Sequence, residues 1–453
     1  MWKKLFVVLL ISAGYFSGYT QSRFNLTDSY QEKVHFKLID NLIIIPVTVN
    51  GVELSFLLDT GVSKAILFNL VNLADSLKIN NVETIYLQGL GGGEPIEALK
   101  SKKNLFRIGN TINVNQDLFV ILDETINFTP RLGFPVHGII GYDLFKDFVV
   151  EINYSKRFLR FHDPRYYEYK KCGKCETLPL TFFNFKPYIT AEVEIKDHYV
   201  PVKLLIDSGG SDALWLFDDK SLGIHLYDAP YFTDFLGLGL SGSVYGNRSK
   251  LKSFRLKSFE LHNINVAYPD STSISEARKF SERNGSIAGE LLKRFNMIID
   301  YPSSKITLQK NSLFKKPFLY NKSGLVLQQD GIRIVKVQNI QNLFPSAIGR
   351  QNNADDANSI IEIVKSYTLA VRPAIVIAEI RKESAAQKSG LKVGDIVIRV
   401  NGDDTSKYQL QEVISNFFDD DGKLITIDVD RNGILMRFKF RLENVLKQKD
   451  LQN

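Results

Sequence analysis

Two stretches of the sequence end an apolar run with a carboxylate, a hydroxyl residue and a glycine: Phe56-Leu57-Leu58-Asp59-Thr60-Gly61-Val62-Ser63 and Leu204-Leu205-Ile206-Asp207-Ser208-Gly209-Gly210-Ser211. A single copy is a weak signal, because an aspartate at a strand end is more often a turn former. Two matching copies carry more, because paired carboxylates are a device for acid–base chemistry. One takes a proton from an attacking water while the other protonates the group under attack. At about 3 Å, two such charges repel by roughly 5 kcal/mol at an effective dielectric of ~20. Both will therefore not ionise near neutral pH, and the pair titrates as a unit. Asp59 and Asp207 are the candidate catalytic pair. Which of them starts protonated is left open by the sequence.

The elements that must position the two carboxylates repeat as well. Ile45–Val49 and Val52–Phe56 flank an Asn50-Gly51 hairpin turn, and Ile189–Ile195 and Tyr199–Leu204 flank Lys196-Asp197-His198. Downstream, Gly138-Ile139-Ile140-Gly141 is echoed by Ser286-Ile287-Ala288-Gly289. Asp59 and Gly141 are 82 positions apart, as are Asp207 and Gly289. Each copy closes on a strand-like run ending in tyrosine, at Tyr154 and Tyr301. Equal spacing of several unlike features marks a duplicated unit. Gly61 and Gly209 allow a tight turn beneath each carboxylate, where a Cβ would obstruct the other half.

On these residues the chain resembles the aspartic proteases, pepsin-like and retropepsin-like, over roughly residues 35–310. The resemblance implies a mostly β protein with a two-lobed acid-protease β-barrel fold and an internal pseudo-twofold duplication. Each lobe would bring one Asp-Thr/Ser-Gly loop to a shared cleft. Thr60 and Ser208 match the family position whose hydroxyl braces the two loops, and Ser63 and Ser211 match the next hydroxyl position. Many acid-active relatives carry a hydroxyl at the spacer positions filled here by Val62 and Gly210, which implies a less acidic pair in this chain. The glycine run Leu87–Pro95, with Gly89, Gly91 and Gly92 after Tyr86, resembles a retropepsin flap tip, with Tyr86 as a flap tyrosine. Gly237 and Gly239 lie at the matching distance after Asp207. Such hairpins close over substrate and exclude water. A loose surface hairpin is the bland alternative, and the lack of a following helix pattern disfavours a phosphate loop.

Beyond Lys310 the pattern changes. Ser384-Ala385-Ala386-Gln387-Lys388-Ser389-Gly390-Leu391, followed by Gly394-Asp395-Ile396-Val397-Ile398-Arg399-Val400-Asn401-Gly402, closely resembles a PDZ signature. An α+β module follows from it: a strand over Ala374–Ile380, an amphipathic helix over Tyr408–Phe418 and a last hairpin around Arg431-Asn432-Gly433. PDZ domains add an extended peptide as a strand and hold its carboxylate on backbone N–H groups. The matching loop here is Gly324-Leu325-Val326-Leu327, in which Val326 departs from the usual glycine.

Residues 1–20 carry Lys3-Lys4 and then a short apolar run, which reads as a secretory signal cleaved near 18–22, with an uncleaved anchor as the runner-up. No other segment reads as transmembrane, and the expected destination is the bacterial periplasm or cell surface. Cys172 and Cys175 are the only cysteines and are expected to pair in a local disulfide in that oxidising setting. The net charge of +7 is scattered rather than banded with aromatics, which excludes a nucleic-acid binder. No metal-ligand spacing and no cofactor motif is present. The expected organisation is a signal over 1–20, lobes over 32–170 and 176–312, and a PDZ-like domain over 318–445 with an insertion near 341–372. The expected function is an exported aspartic endopeptidase acting on peptides or proteins through a water held between Asp59 and Asp207. The PDZ module would bind a C-terminal peptide or a partner, and a monomer would suffice. The competing expectations are a non-catalytic peptide-binding scaffold that keeps the fold and, disfavoured by the lack of a Ser/His arrangement, a serine protease.

Overall fold

The computed structural model describes residues 22–70, 77–226, 229–339 and 366–446. The expected signal segment, 1–20, and most of the expected insertion lie outside these residues.

Alternating burial along Leu42–Val49 and Val52–Leu58 makes a hairpin, closed at Val49↔Val52 by Asn50 and Gly51, both at positive φ. The second strand then runs parallel to Gly138–Ile140, with Ile139 beside Leu57. In the second half, Lys186–Ile195 and His198–Asp207 form the corresponding hairpin, and Gly285–Ala288 runs parallel to its second strand. Strands packed on both faces read as continuous apolar runs. That is the pattern at Phe56, Leu57 and Leu58 and at Leu204, Leu205 and Ile206, all of which are buried.

The expected β-barrels are not found. The first sheet runs from an edge at Asn25–Leu26 to a free edge at Glu83–Leu87, and the second from Thr181–Phe183 to Phe232–Gly239. Where each sheet curls back on itself, the ladder is only two residues long. These contacts are Thr48↔Arg107 with Val49↔Phe106, and Glu192↔Arg255 with Val193↔Phe254. The 13-residue strand Ile96–Ile108 and the 15-residue strand Gly242–Leu256 outrun their neighbours and continue as hairpin arms. A register shift between Ser101 and Asn104 bends the first arm away from its neighbour. Each half is therefore an open, curled sheet with edges.

A third sheet joins the halves. Val149–Asn153 pairs with Phe295–Asp300, from Val149↔Asp300 to Ile152↔Met297, and strands from both halves flank this pair. One continuous apolar core, including Phe56, Ile140, Ile152, Ile206, Ile287 and Ile299, runs beneath all three sheets. Each fully buried side chain of this size contributes about 1.5–3 kcal/mol, and the shared core holds the two aspartate loops in register.

The C-terminal module has its own core, built from Leu325, Ile377, Val397, Phe417, Ile427 and neighbours. The long hairpin Leu325–Asn339 with Ser366–Ile380 is followed by a helix at Ala385–Lys388, capped by the Ser384 hydroxyl. The strand Ile396–Val400, the helix Leu410–Ser415 and the hairpin Leu424–Arg431 with Ile434–Arg441 complete it. Residues 366–372, expected within the insertion, belong instead to the strand Ser366–Ile380. Cys172 and Cys175 are bonded to each other just before and at the start of the strand Cys175–Pro179. Among the described residues, no helix is long and apolar enough to cross a membrane.

Candidate active site

Asp59 follows, and Asp207 ends, a strand that lies between an antiparallel and a parallel neighbour, so the chain must turn there. The Asp59 N–H donates to Ile140 O at 2.9 Å, which extends the parallel pairing by one bond. The two turns then grip each other. The Thr60 N–H donates to Ser208 Oγ at 3.0 Å and the Ser208 N–H to Thr60 Oγ1 at 3.1 Å. The Thr60 hydroxyl donates to Ile206 O at 2.6 Å and the Ser208 hydroxyl to Leu58 O at 2.8 Å. Thr60 and Ser208 are buried, so each lost hydroxyl would strand unpaired polar groups in the core. Thr60→Val is therefore expected to lower unfolding stability by roughly 2–4 kcal/mol in urea titration, with more than one buried partner left unsatisfied. A change below ~0.5 kcal/mol would show that the grip is solvated rather than buried.

The grip brings the carboxylates together over the glycines. A Cβ on Gly61 would lie 3.0 Å from Asp59 Oδ1 and 3.5 Å from Asp207 Oδ1. A Cβ on Gly209 would fall 2.2 Å from Asp59 Cγ. The Gly61 N–H donates to Asp59 Oδ1 at 2.6 Å and the Gly209 N–H to Asp207 Oδ1 at 3.1 Å. Burial, and then the Asp207 charge, push Asp59 up to about 7 against these donors. Burial also raises Asp207, but the nearby Arg283 and Lys186 cations oppose the shift. Ser63 sits partly buried at the end of the first loop. The Ser211 carbonyl accepts from Asn41 Nδ2 at 2.8 Å, and its hydroxyl bonds to Asp40.

Lys186 and Arg283 are absent from the sequence-derived set of site residues. Lys186 acts on Asp207 from the neighbouring strand, two residues beyond the last pair, Tyr188↔Leu205, on the side of the loop. The corresponding residue in the first half is Leu42. The second hairpin is four residues longer than the first, so equal spacing back from the aspartates does not align the two positions. Pairing register was the signal that could have found them.

The glycine runs are hairpin tips, and the tips dock on each other. The Ser241 N–H donates to Leu90 O, and the Gly93 N–H to Ser241 O, both at 2.9 Å, while the Gly89 N–H reaches Ser241 Oγ at 3.0 Å. A Cβ on Gly91 would fall 2.4 Å from Gly242 O, and one on Gly239 2.2 Å from Leu90 O. Gly92 packs on Thr272, while Gly237 marks a bulge in its strand rather than the tip. The tips exchange leucines: Leu90 packs beside Phe217 and Ile274 of the second half, and Leu240 joins the first-half cluster of Leu42, Ile44 and Leu57. Tyr86 does not share that face. Strand alternation turns Ile85 and Leu87 towards the cluster and leaves Tyr86 69% exposed.

In the C-terminal module, Leu325 and Leu327 are 1% and 2% exposed and point into its core. Side chains and backbone on either side hold the loop. The Leu325 N–H donates to Ser323 Oγ and the Ser323 N–H to Asn321 Oδ1, both at 3.0 Å, while the Gly324 carbonyl accepts from the Arg381 N–H. Val326 pairs with Glu379 in the hairpin. The face between Leu325–Asn339 and the helix Leu410–Ser415 is met by the first half. The helix Thr129–Leu132 lies on that strand, and Gly133 lies so near Leu410 that a Cβ would come within 2.6 Å. Arg131 ties three parts together, with its guanidinium 2.6 Å from Glu379 and 4.5 Å from the Phe235 ring centre on the second hairpin arm.

Residues 45–144 match the family described as aspartyl protease, a stretch that holds Asp59 and the first hairpin tip and ends before Asp207. Residues 347–417 match the PDZ domain. No curated protein matches the chain. The chain thus contains an aspartyl-protease domain and a PDZ domain, and by the first of these it is an aspartic-type hydrolase.

Proposed function

We propose that the protein is an endopeptidase whose two halves each supply one carboxylate, Asp59 and Asp207, to a single water. The reciprocal Thr60–Ser208 grip carries this reading, since it has no purpose in a loop that acts alone. The matching order of pairings in the two sheets supports descent of both halves from one unit: Val52–Leu58 lies between Leu42–Val49 and Gly138–Ile140 as His198–Asp207 lies between Lys186–Ile195 and Gly285–Ala288. Arg283 and Lys186 beside Asp207 favour its ionised form, so the shared proton rests on Asp59. Asp207 then takes the proton of the attacking water as Asp59 gives its own to the carbonyl oxygen of the substrate.

Active enzyme needs one proton on the pair. Asp59 is raised to about 7, so cleavage should hold through weakly acidic pH and fall as pH rises through about 7. The test is cleavage of a denatured protein mixture across pH, with and without a statine-type transition-state analogue. Inhibition by the analogue and an alkaline limb near neutrality are expected. A maximum below about pH 3 would contradict the tuning of the pair.

The PDZ module is read as a peptide- or partner-binding unit. A peptide added to the edge of Leu325–Asn339 beside the helix Leu410–Ser415 would have to displace the turn at Thr129–Gly133. Export to an oxidising compartment is supported by the basic and apolar start of the chain and by the Cys172–Cys175 bond.

A further inference from the structure

The two halves build the cleft walls beside their aspartates from corresponding positions of opposite chemistry. In the first half, the pairing runs from Val49↔Val52 to Ile44↔Leu57, two residues short of Leu42 and Asp59. In the second, the pairing runs from Ile195↔His198 to Tyr188↔Leu205, again two residues short of Lys186 and Asp207, which end the two strands. Opposite residues of an antiparallel pair share a face, so the same register carried two residues on sets Leu42 beside Asp59 and Lys186 beside Asp207. The next strand repeats the contrast. Ile139 pairs with both Leu57 and Ile66, whereas the corresponding Ser286 pairs with both Leu205 and Trp215. Val136 and Arg283 each stand two residues before the glycine that opens that strand.

The first wall is one apolar cluster, joining Leu42, Ile44, Ile66, Val136 and Ile139 and closed from above by Leu240. The second is cationic. Arg283 is 7% exposed and fixed in place, with Nε 3.1 Å from Gly285 O, Nη2 2.7 Å from Ser286 Oγ and the guanidinium 5.2 Å from the Phe217 ring centre. Lys186 keeps partial access and has no carboxylate within ion-pair distance among the described residues. Glu276, which acts on it from further off, is paired with Lys279 at 2.7 Å. Burial, and then the Arg283 charge, lower the lysine's affinity for its proton, and Asp59 and Asp207 oppose that shift without forming an ion pair with it, so the ammonium keeps room for a directly bonded anion.

We infer that Lys186, backed by the fixed Arg283, forms a subsite for an acidic side chain, so that the preferred substrate carries Asp or Glu on one side of the scissile bond and an apolar residue on the other. This rests on the endopeptidase reading. A carboxylate entering beside Lys186 forms a charge-assisted hydrogen bond in a desolvated place, where an amide of the same shape leaves the ammonium unpaired. The apolar wall on the opposite side rejects charge for the converse reason.

The test uses the full chain and matched peptides, each with a fixed apolar residue on one side of the cleaved bond and Glu, Gln or Lys on the other. Wild type is expected to favour Glu over Gln by about tenfold or more in kcat/KM. Lys186→Met should bring the Glu/Gln ratio to about one, and Lys186→Glu should invert the preference towards Lys. Each variant is compared at its own pH optimum, because a charge change beside Asp207 moves the profile, and thermal melts by circular dichroism verify folding. The same ratios are read as equilibrium affinities in Asp59→Asn protein by fluorescence anisotropy. Efficient cleavage with no acid preference, or a preference unmoved by both Lys186 variants, overturns the subsite and leaves the endopeptidase reading intact. Absence of cleavage, with Lys186-dependent binding of the Glu peptide retained, overturns the endopeptidase reading and upholds the subsite.

Discussion

Replacing Asp59 or Asp207 by asparagine is expected to reduce peptide hydrolysis at pH 6 by at least ~10³-fold in kcat, since each removes one half of the proton relay. Both variants should still fold. Asparagine keeps an acceptor for the Gly61 or Gly209 N–H, and the grip between the loops runs through Thr60 and Ser208 rather than through the carboxylates. Stability separates this loss from misfolding, and its sign follows from linkage. Asp59 is raised to about 7 in the folded state, so folding favours its protonated form. Its favourable contribution is complete below the unfolded carboxylate range, near pH 4, and is lost as pH rises through about 7. An asparagine in its place carries no such dependence. The Asp59→Asn protein should thus melt higher than wild type at pH 8 and about level with it at pH 4. Equal peptide hydrolysis by wild type and both variants would end the paired-carboxylate mechanism, and a lower melting temperature at pH 8 would end the account of Asp59 burial.

Gly209→Ala is the second large effect. The added methyl would fall 2.2 Å from Asp59 Cγ and 2.3 Å from Oδ2, far inside contact distance, so the carboxylate or the loop must move. A displacement of about 1 Å at the reacting groups costs on the order of 10²-fold in rate. Gly210→Ala is the control, because its Cβ would meet the Ala288 methyl at 3.1 Å and stay 3.7 Å from Asp207, a clash relieved by a small local shift. The expected result is loss of at least ~10²-fold in kcat/KM for the first and less than ~10-fold for the second. Similar losses in both would mean that the loop, rather than close approach of the two halves, sets the activity.

The hairpin tips are held on both sides. Leu90 and Leu240 are packed into the opposite halves, and the second arm is also held by Arg131 through Phe235 and Glu379. The C-terminal module thus touches this arm, through Glu379 by way of Arg131 and through Arg381 over the Phe232 ring.

Much of this could be read along the chain. The apolar runs ending in Asp59 and Asp207, the hairpin turn at Asn50-Gly51, the glycine-rich tips and the PDZ signature after Ser384 are local patterns, and backbone preferences act within a few residues. The pairing of Cys172 with Cys175 also lies within four residues. What the chain could not show depends on which strands become neighbours. Barrel closure was expected from resemblance, but the open edges follow from how far Ile96–Ile108 and Gly242–Leu256 outrun their partners. Tyr86 resembled a tip residue, yet the pleat of its strand turns it outward. The loop at Gly324 offered backbone donors on paper, but the Ser323 hydroxyl occupies the Leu325 N–H. Lys186 lies beside Asp207 through the register of a hairpin four residues longer than its counterpart, and hydrogen bonding across the sheet decides that register. Side-chain type and short spacing thus determined the candidate chemistry, and long-range pairing alone decided which charges and apolar groups surround it.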